Sequence, residues 1–269
     1  MESKIQSNTL RDFSVYSAEE IIKCMDTDLM GKEVCFYENI DSTNNEAKKK
    51  FSLPEGTIFV AREQWAGKGR IGRKWISDND GICLSVLLKP DIAPDEVFSI
   101  TLVVGLAVSS AIQGAMIKWP NDIVLNSKKV GGILTEMSTN GTNVQYVVAG
   151  IGINLNNPQF HHSLSDIATS VYLETDAFSN KSAFVAELCM QIEKYYKIFK
   201  KCGLTELLDE YKQKCITLGK DVVVKQKDGD LHARAIDVTD KGELVIQTQD
   251  AILNVLSGEV SVRGVFGYV

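Results

Sequence analysis

Twelve consecutive residues, Gln64-Trp65-Ala66-Gly67-Lys68-Gly69-Arg70-Ile71-Gly72-Arg73-Lys74-Trp75, combine three glycines, four cations and two tryptophans. Glycine lets a backbone come close to a ligand and take positive φ angles. Lys68, Arg70, Arg73 and Lys74 surround those glycines, and backbone N–H groups and guanidinium forks both match phosphate oxygens. The flanking tryptophans could stack on a ring or close a lid. A charge run in a loop is ordinarily a solvated face. Interleaved glycines between tryptophans argue instead for a ligand loop.

Four further segments carry chemistry. Asp41-Ser42-Thr43-Asn44-Asn45 gathers hydroxyls and amides where a strand gives way to a helix, suiting either a helix cap or a polar ligand head. Lys118-Trp119-Pro120-Asn121-Asp122 is a charged, aromatic kink between apolar strands. Lys128-Lys129-Val130-Gly131-Gly132-Ile133-Leu134-Thr135-Glu136 sets two lysines before a strand that opens on glycines. Paired glycines in a strand mark a close backbone approach. Gly150-Ile151-Gly152-Ile153-Asn154-Leu155-Asn156 repeats that theme.

Two familiar phosphate motifs fail. Gly67, Gly69 and Gly72 match G-x-G-x-x-G in spacing, after a strand-like Thr57–Ala61. That fingerprint needs a helix opening at the glycines. A turn-rich stretch (75–81) and a buried strand follow instead. No G-x-x-x-x-G-K-[ST] occurs.

The elements that must position these residues are legible in outline. Residues 1–14 are polar and are expected to fray. Ser17-Ala18-Glu19-Glu20 is a capping box for a helix through Cys24. Strands are expected at 34–40, 57–64, 82–89, 123–125, 130–137 and 144–148. Helices are expected at 44–51, 94–114, 182–200 and 205–214, the second opening on Pro94-Asp95-Glu96. Asn126-Ser127-Lys128 and Asn140-Gly141 read as hairpin turns. Beyond Thr217, short strands at 222–224, 233–238, 244–247 and 252–256 read as a small antiparallel barrel.

Composition narrows the function. A length of 269 residues allows one sizeable core with a small appended domain. A net charge of −6 argues against a broad nucleic-acid footprint, so the local cations suit a small anionic ligand. The six cysteines form no C-x-x-C pair, and with no signal peptide they read as reduced thiols in the cytoplasm. No apolar run reaches membrane-spanning length. His161-His162, adjacent in a polar loop, reads as solvated.

Taken together, these motifs resemble those of the biotin protein ligases. Ser42-Thr43-Asn44, the glycine–arginine loop, Lys118-Trp119-Pro120-Asn121-Asp122, Lys129-Val130-Gly131-Gly132-Ile133-Leu134 and Gly150-Ile151-Gly152-Ile153-Asn154 appear in family order. The likeness runs from about residue 34 to the C-terminus, including Ile167–Ser170 and Gly258–Arg263. Lys68 stands where the family usually has its first loop arginine, keeping charge and losing the bidentate fork.

The resemblance implies an α+β fold: a mixed or antiparallel central sheet with flanking helices, akin to class II aminoacyl-tRNA synthetases, plus a C-terminal SH3-like barrel. It divides the chain into an extension (1–33), a catalytic biotin- and ATP-binding domain (34–216) and the β domain (217–269). It implies that biotin and ATP, with Mg²⁺, form biotinyl-5′-AMP, and that a lysine of a biotin carboxyl carrier protein then takes the biotinyl group. Lys129, Arg70 and Asp122 are the implied catalytic residues. Ser42, Thr43, Asn44, Gln64, Lys68, Gly69, Arg70, Lys129 and Gly132 would hold biotin. Arg70, Arg73, Trp75, Asn121, Lys129, Asn154, Glu259 and Arg263 would hold the nucleotide. Metal ligands stay unassigned beyond Mg²⁺ near Asp122. Regulatory members carry an N-terminal helix-turn-helix domain, and the residues before Val34 are too few for one. The expectation is a cytoplasmic ligase, monomer or homodimer, without DNA or membrane partners. A lipoate or octanoate ligase, or a non-catalytic binder of biotin or its adenylate, is the alternative reading.

Overall fold

The computed structural model describes residues 16–226, 229–256 and 261–264. The polar segment 1–14 lies outside them. In chain order the elements begin with α1 (Ala18–Cys24), β1 (Val34–Ile40), α2 (Thr43–Lys49), β2 (Ile58–Gln64) and β3 (Ile82–Leu88). A 3-10 turn (Pro94–Glu96) leads into α3 (Val97–Ala111), followed by β4 (Met116–Lys118), β5 (Asp122–Leu125), β6 (Lys128–Asn140) and β7 (Asn143–Ile153). Helices α4 (Val171–Thr175), α5 (Lys181–Cys202) and α6 (Leu208–Lys214) precede β8 (Asp221–Gln226), β9 (Gly229–Val238), β10 (Leu244–Gln247), β11 (Ile252–Val255) and β12 (Ser261–Gly264).

Seven strands form one mixed sheet in the order β1-β2-β3-β7-β6-β5-β4; only the β1–β2 pair is parallel. Strand alternation splits its residues between two unlike faces. Ile82, Leu84, Val86 and Leu88 of β3 join Val147, Ala149, Ile151 and Ile153 of β7 in the main core with α3 and α5. Each such Val, Leu or Ile side chain contributes roughly 1.5–3 kcal/mol on burial. The opposite face holds a smaller cluster, Phe59, Leu87 and Val148, under Ala47 of α2. Beyond that cluster the second face turns polar and bare, and there the cleft forms.

Ser17 caps α1 by accepting from Glu20 N. Helix α3 begins three residues later than the sequence suggests, because Pro94–Glu96 forms a 3-10 turn. It also ends earlier, with Ile112 extended. Contrary to the sequence reading that no apolar run reaches membrane-spanning length, Pro94–Ala111 is long and apolar enough to cross a membrane, because the 3-10 turn extends α3; 67% of it is buried in the fold as a core helix. Asn126 and Ser127 take φ of 46° and 66°, closing the β5–β6 hairpin. Strand β7 runs past Val148 to Ile153, because Gly150 and Gly152 continue the ladder instead of breaking it. Strand β4 is too short to leave a sequence pattern.

The C-terminal strands form an antiparallel sheet in the order β11-β10-β9-β8-β12. Its inner residues Val222, Val224, Ala235, Leu244 and Ile246 belong to the same buried cluster as the large sheet. Trp119 ties the two together: its indole Nε1 donates to Gly242 O at 3.0 Å, and its backbone N donates to Thr217 Oγ1 at 2.9 Å.

Candidate active site

Sheet register builds the floor of the cleft. Gly132 pairs with Gly152, which pairs in turn with Cys83, while Gly150 pairs with Ser85 and Leu134. These positions share the polar face. A Cβ at Gly150 would collide with Asn44 Oδ1, and one at Gly152 would collide with the Trp75 ring. Only bare backbone lets those side chains lie flat on the sheet.

Lys129 reaches this floor through a bulge. Val124 pairs with Lys129 and Ile123 with Gly131, leaving Val130 as the extra residue. Such a bulge shifts alternation by one. Lys129 thereby shares a side with Asp122 and Gly132, and its Nζ meets Asp122 Oδ1 at 2.5 Å. Val130 turns into the core, wholly buried. Lys128 leaves the cleft and donates to Ser165 O.

The glycine loop folds back on itself. Trp75 N donates to Gly67 O at 3.0 Å and Gly69 N to Arg73 O at 2.7 Å, with Ile71 and Gly72 at positive φ around the tip. No helix follows, so the dinucleotide-fold reading stays excluded. From the tip, Arg70 Nη1 donates to Asn121 Oδ1 at 2.9 Å, and Asn121 Nδ2 donates to Ile133 O. Burial lowers the Arg70 pKa, opposed by the nearby Asp122 carboxylate; a guanidinium nevertheless stays charged in proteins. Lys68 donates to Asn45 Oδ1 at 2.9 Å. Trp75 lies within 6.0 Å of the Lys129 ammonium.

At the inner end, the start of α2 meets β2 and β3. Thr43 N and Oγ1 stand 2.7 and 3.1 Å from Gln64 Oε1. The Ser85 hydroxyl stands 2.7 Å from Thr43 Oγ1 and 2.6 Å from Asn44 Oδ1. Asn44 Nδ2 donates to Glu136 Oε2 at 2.8 Å, and Lys48 pairs with the other Glu136 oxygen at 2.8 Å. Ser42, at the helix N-cap, makes no side-chain cap bond. Sequence reasoning missed Ser85 and Glu136 as site residues. Their signals are modest: one hydroxyl inside the apolar run of β3, and an acid two steps along the strand from Leu134.

Ser42, Thr43, Asn44, Gln64, Lys68, Gly69, Arg70, Arg73, Trp75, Asn121, Asp122, Lys129 and Gly132 therefore line a cavity of about 120 Å³. Asn154 is not among its walls; its amide donates to Thr169 O and secures the segment beside Lys129. Glu259 lies outside the described residues. For Arg263 the backbone is described, in β12 opposite Val223, and the side chain is not. No group of three His, Cys, Asp or Glu residues suited to a metal occurs among the described residues.

Residues 36–154 match the Biotin/lipoate A/B protein ligase family, and residues 217–263 match the Biotin protein ligase C terminal domain. The chain is 33% identical over 254 residues to the bifunctional ligase/repressor BirA of Bacillus spizizenii, covering 91% of this chain and 78% of that protein. It is 30% identical over 218 residues to the biotin–[acetyl-CoA-carboxylase] ligase of Paracoccus denitrificans, covering 77% and 91%. The Aquifex aeolicus biotin protein ligase solved with biotin and ATP superposes with a TM-score of 0.77 at 31% identity, over 87% of this chain and 99% of that one. The chain belongs to the biotin protein ligase family.

Proposed function

We propose that this cleft joins biotin to AMP and then passes the biotinyl group to a lysine of a biotin carboxyl carrier protein. In the first step a biotin carboxylate oxygen attacks the α-phosphorus of ATP, and the bond to the β-phosphate oxygen breaks with release of pyrophosphate. In the second, the carrier amine attacks the acyl carbon, AMP leaves with the bonding electrons, and the amine loses a proton. Negative charge gathers on the α-phosphoryl oxygens in the first step, so fixed cations are the principal need.

The observation that carries this reading is the bulge-directed Lys129. An ammonium has three donors; Asp122 takes one and fixes the group at the junction of the glycine floor and the Arg70 loop. Arg70 and Arg73 supply further positive charge from the loop, and the loop shields the mixed anhydride from water. Thr43, Asn44 and Gln64, with Ser42, form the polar inner end that suits the biotin ureido ring. Trp75 and Asn121 stand on the nucleotide side, with Asn154 supporting the 167–169 segment. Magnesium, brought with ATP, would neutralise phosphate charge; Asp122 is the carboxylate in the cleft lining nearest to hold it, and Lys129 engages that carboxylate. We assign catalysis to 34–216 and take 217–269 as the supporting domain.

The Paracoccus relative's name supports a carboxylase carrier as acceptor. Six free cysteines and ATP dependence suit the cytoplasm. Incubation with biotin, Mg²⁺ and α-labelled ATP tests the reading: labelled biotinyl-AMP is expected without carrier, and labelled AMP is released once a carrier domain is added. Binding of biotin with no adenylate formed would favour the binder reading instead.

A further inference from the structure

Lys129 is held by its own backbone as well as by Asp122. Strand β7 stops at Ile153, opposite Gly131, so the stretch of β6 before Gly131 needs another neighbour on that side. Residues 167–169 fill the place, with a parallel bridge between Lys129 and Ala168. Lys129 N donates to Ile167 O at 2.8 Å, and Thr169 N donates to Lys129 O at 2.9 Å. Both main-chain polar groups of Lys129 are thus engaged by a segment that belongs to neither β5 nor β7. These bonds fix which way the residue faces, just where the bulge at Val130 resets the alternation.

That segment needs fastening in its turn. Asn154 Nδ2 donates to Thr169 O. Glu174, on α4, takes the side chain: the hydroxyl of Thr169, a buried residue, donates to Glu174 Oε1. The other Glu174 oxygen accepts from Asn126 Nδ2 at 2.6 Å. Asn126 begins the left-handed turn that leads into Lys128 and Lys129. A carboxylate accepts on both oxygens, so it can meet two donors at once. One half-buried side chain therefore clasps the turn before Lys129 to the segment alongside it. Glu174 is not among the cleft walls.

We infer that Glu174 is a positioning residue for the adenylation step: by joining Asn126 to Thr169 it holds the bulge that aims the Lys129 ammonium into the cleft. The inference rests on the reading of Lys129 as the group that meets charge on the α-phosphate. Loss of the clasp leaves a buried hydroxyl without its acceptor and loosens the backbone on both sides of Lys129, while every residue lining the cleft is retained. A misplacement of about 1 Å at a reacting group can cost on the order of 10²-fold in rate. Biotin affinity, to which Lys129 adds little, should hardly move.

The test is a double-mutant cycle on the full chain. It is read by single-turnover formation of labelled biotinyl-AMP at saturating biotin and ATP, with biotin affinity from calorimetry and folding from thermal melting. Glu174→Ala should slow adenylation by about 10–10²-fold and change biotin affinity by no more than roughly threefold. In a Lys129→Ala background the same substitution should cost about twofold or less, because the ammonium it positions is gone. Glu174→Gln keeps an acceptor for Thr169, and the Asn126 amide can turn its oxygen to the new amide group, so most of the rate should return. A rate loss that recurs in full beside Lys129→Ala would mean that Glu174 acts on the fold at large, and it overturns the inference. An unchanged rate in Glu174→Ala overturns it too. If Glu174→Ala does not fold, Thr169→Val, which removes the hydroxyl and nearly keeps the shape, decides in the same cycle. Absence of any adenylate from the unmodified protein would sink the functional reading itself, and the inference with it.

Discussion

Lys129 and Lys128 are neighbours in sequence and opposites in the structure. The bulge at Val130 sends Lys129 to Asp122 and leaves Lys128 on Ser165 O at the surface. Free biotin brings one carboxylate that water also stabilises, so Lys129 adds little to ground-state affinity. In the transition state, charge spreads over phosphoryl oxygens inside a closed loop, where a fixed ammonium counts for more. Lys129→Ala should therefore slow adenylation by roughly 10²–10³-fold, with biotin affinity changed only a few-fold. Lys128→Ala should leave both rates close to normal. Pre-steady-state adenylation with calorimetry checks this, and equal damage from the two substitutions would refute the assignment. The pairing of Lys129 with the glycines was legible from the motif. The reason that Lys129, not Lys128, enters the cleft was not, because a bulge depends on strand register and leaves no local signature.

At the scale of elements, glycines in different settings should respond in opposite ways. Gly150 carries Asn44 directly above it, so Gly150→Ala must displace Asn44 from Ser85 and Glu136. Biotin affinity should fall at least about tenfold, since a displaced amide leaves buried partners unpaired. Gly105, inside α3, meets only ordinary contacts at 3.7–3.9 Å. Gly105→Ala should stabilise the protein by about 0.5–1 kcal/mol, through the entropy that glycine loses in a helix. Denaturant titration and calorimetry separate the two effects. Most elements were readable from periodicity and turn residues: β1 coincides with the expected span, and both hairpin turns fall where expected. Strand β4 was missed because three residues carry no period, and β7 was cut short because its glycines looked like a strand end. The loop was read as a ligand loop on glycine and charge, whereas its link from Arg70 to Asn121 appears only once β4 and β5 are side by side.

Over the whole molecule, two sheets share one buried cluster, and Trp119 spans them. Trp119→Ala should cost about 3–5 kcal/mol, seen as a lower Tm, and should loosen Asn121 and Asp122 two and three residues on. The N-terminal segment has its own acid-sensitive fastening. Glu193 accepts from the backbone N–H groups of Asp28, Leu29 and Met30 and pairs with Lys197 at 2.6 Å. Burial opposes its charge, but these partners outweigh it and draw its pKa down to about 2. A depressed carboxyl contributes stability above its unfolded value of about 4.3 that is lost as pH falls toward 2. Melting temperature should therefore drop between about pH 5 and pH 2.5, more steeply in the unmodified protein than in Glu193→Gln. Equal slopes would contradict that role. The function itself is tested most directly in a single turnover with α-labelled ATP, Mg²⁺ and one acid at a time: biotin, lipoate or octanoate, without carrier. Biotin alone should yield a labelled acyl-adenylate, and Lys129→Ala should yield almost none on the same timescale. An adenylate formed from octanoate or lipoate but not from biotin, or none from biotin in the intact protein, would contradict the assignment of this cleft to biotin activation.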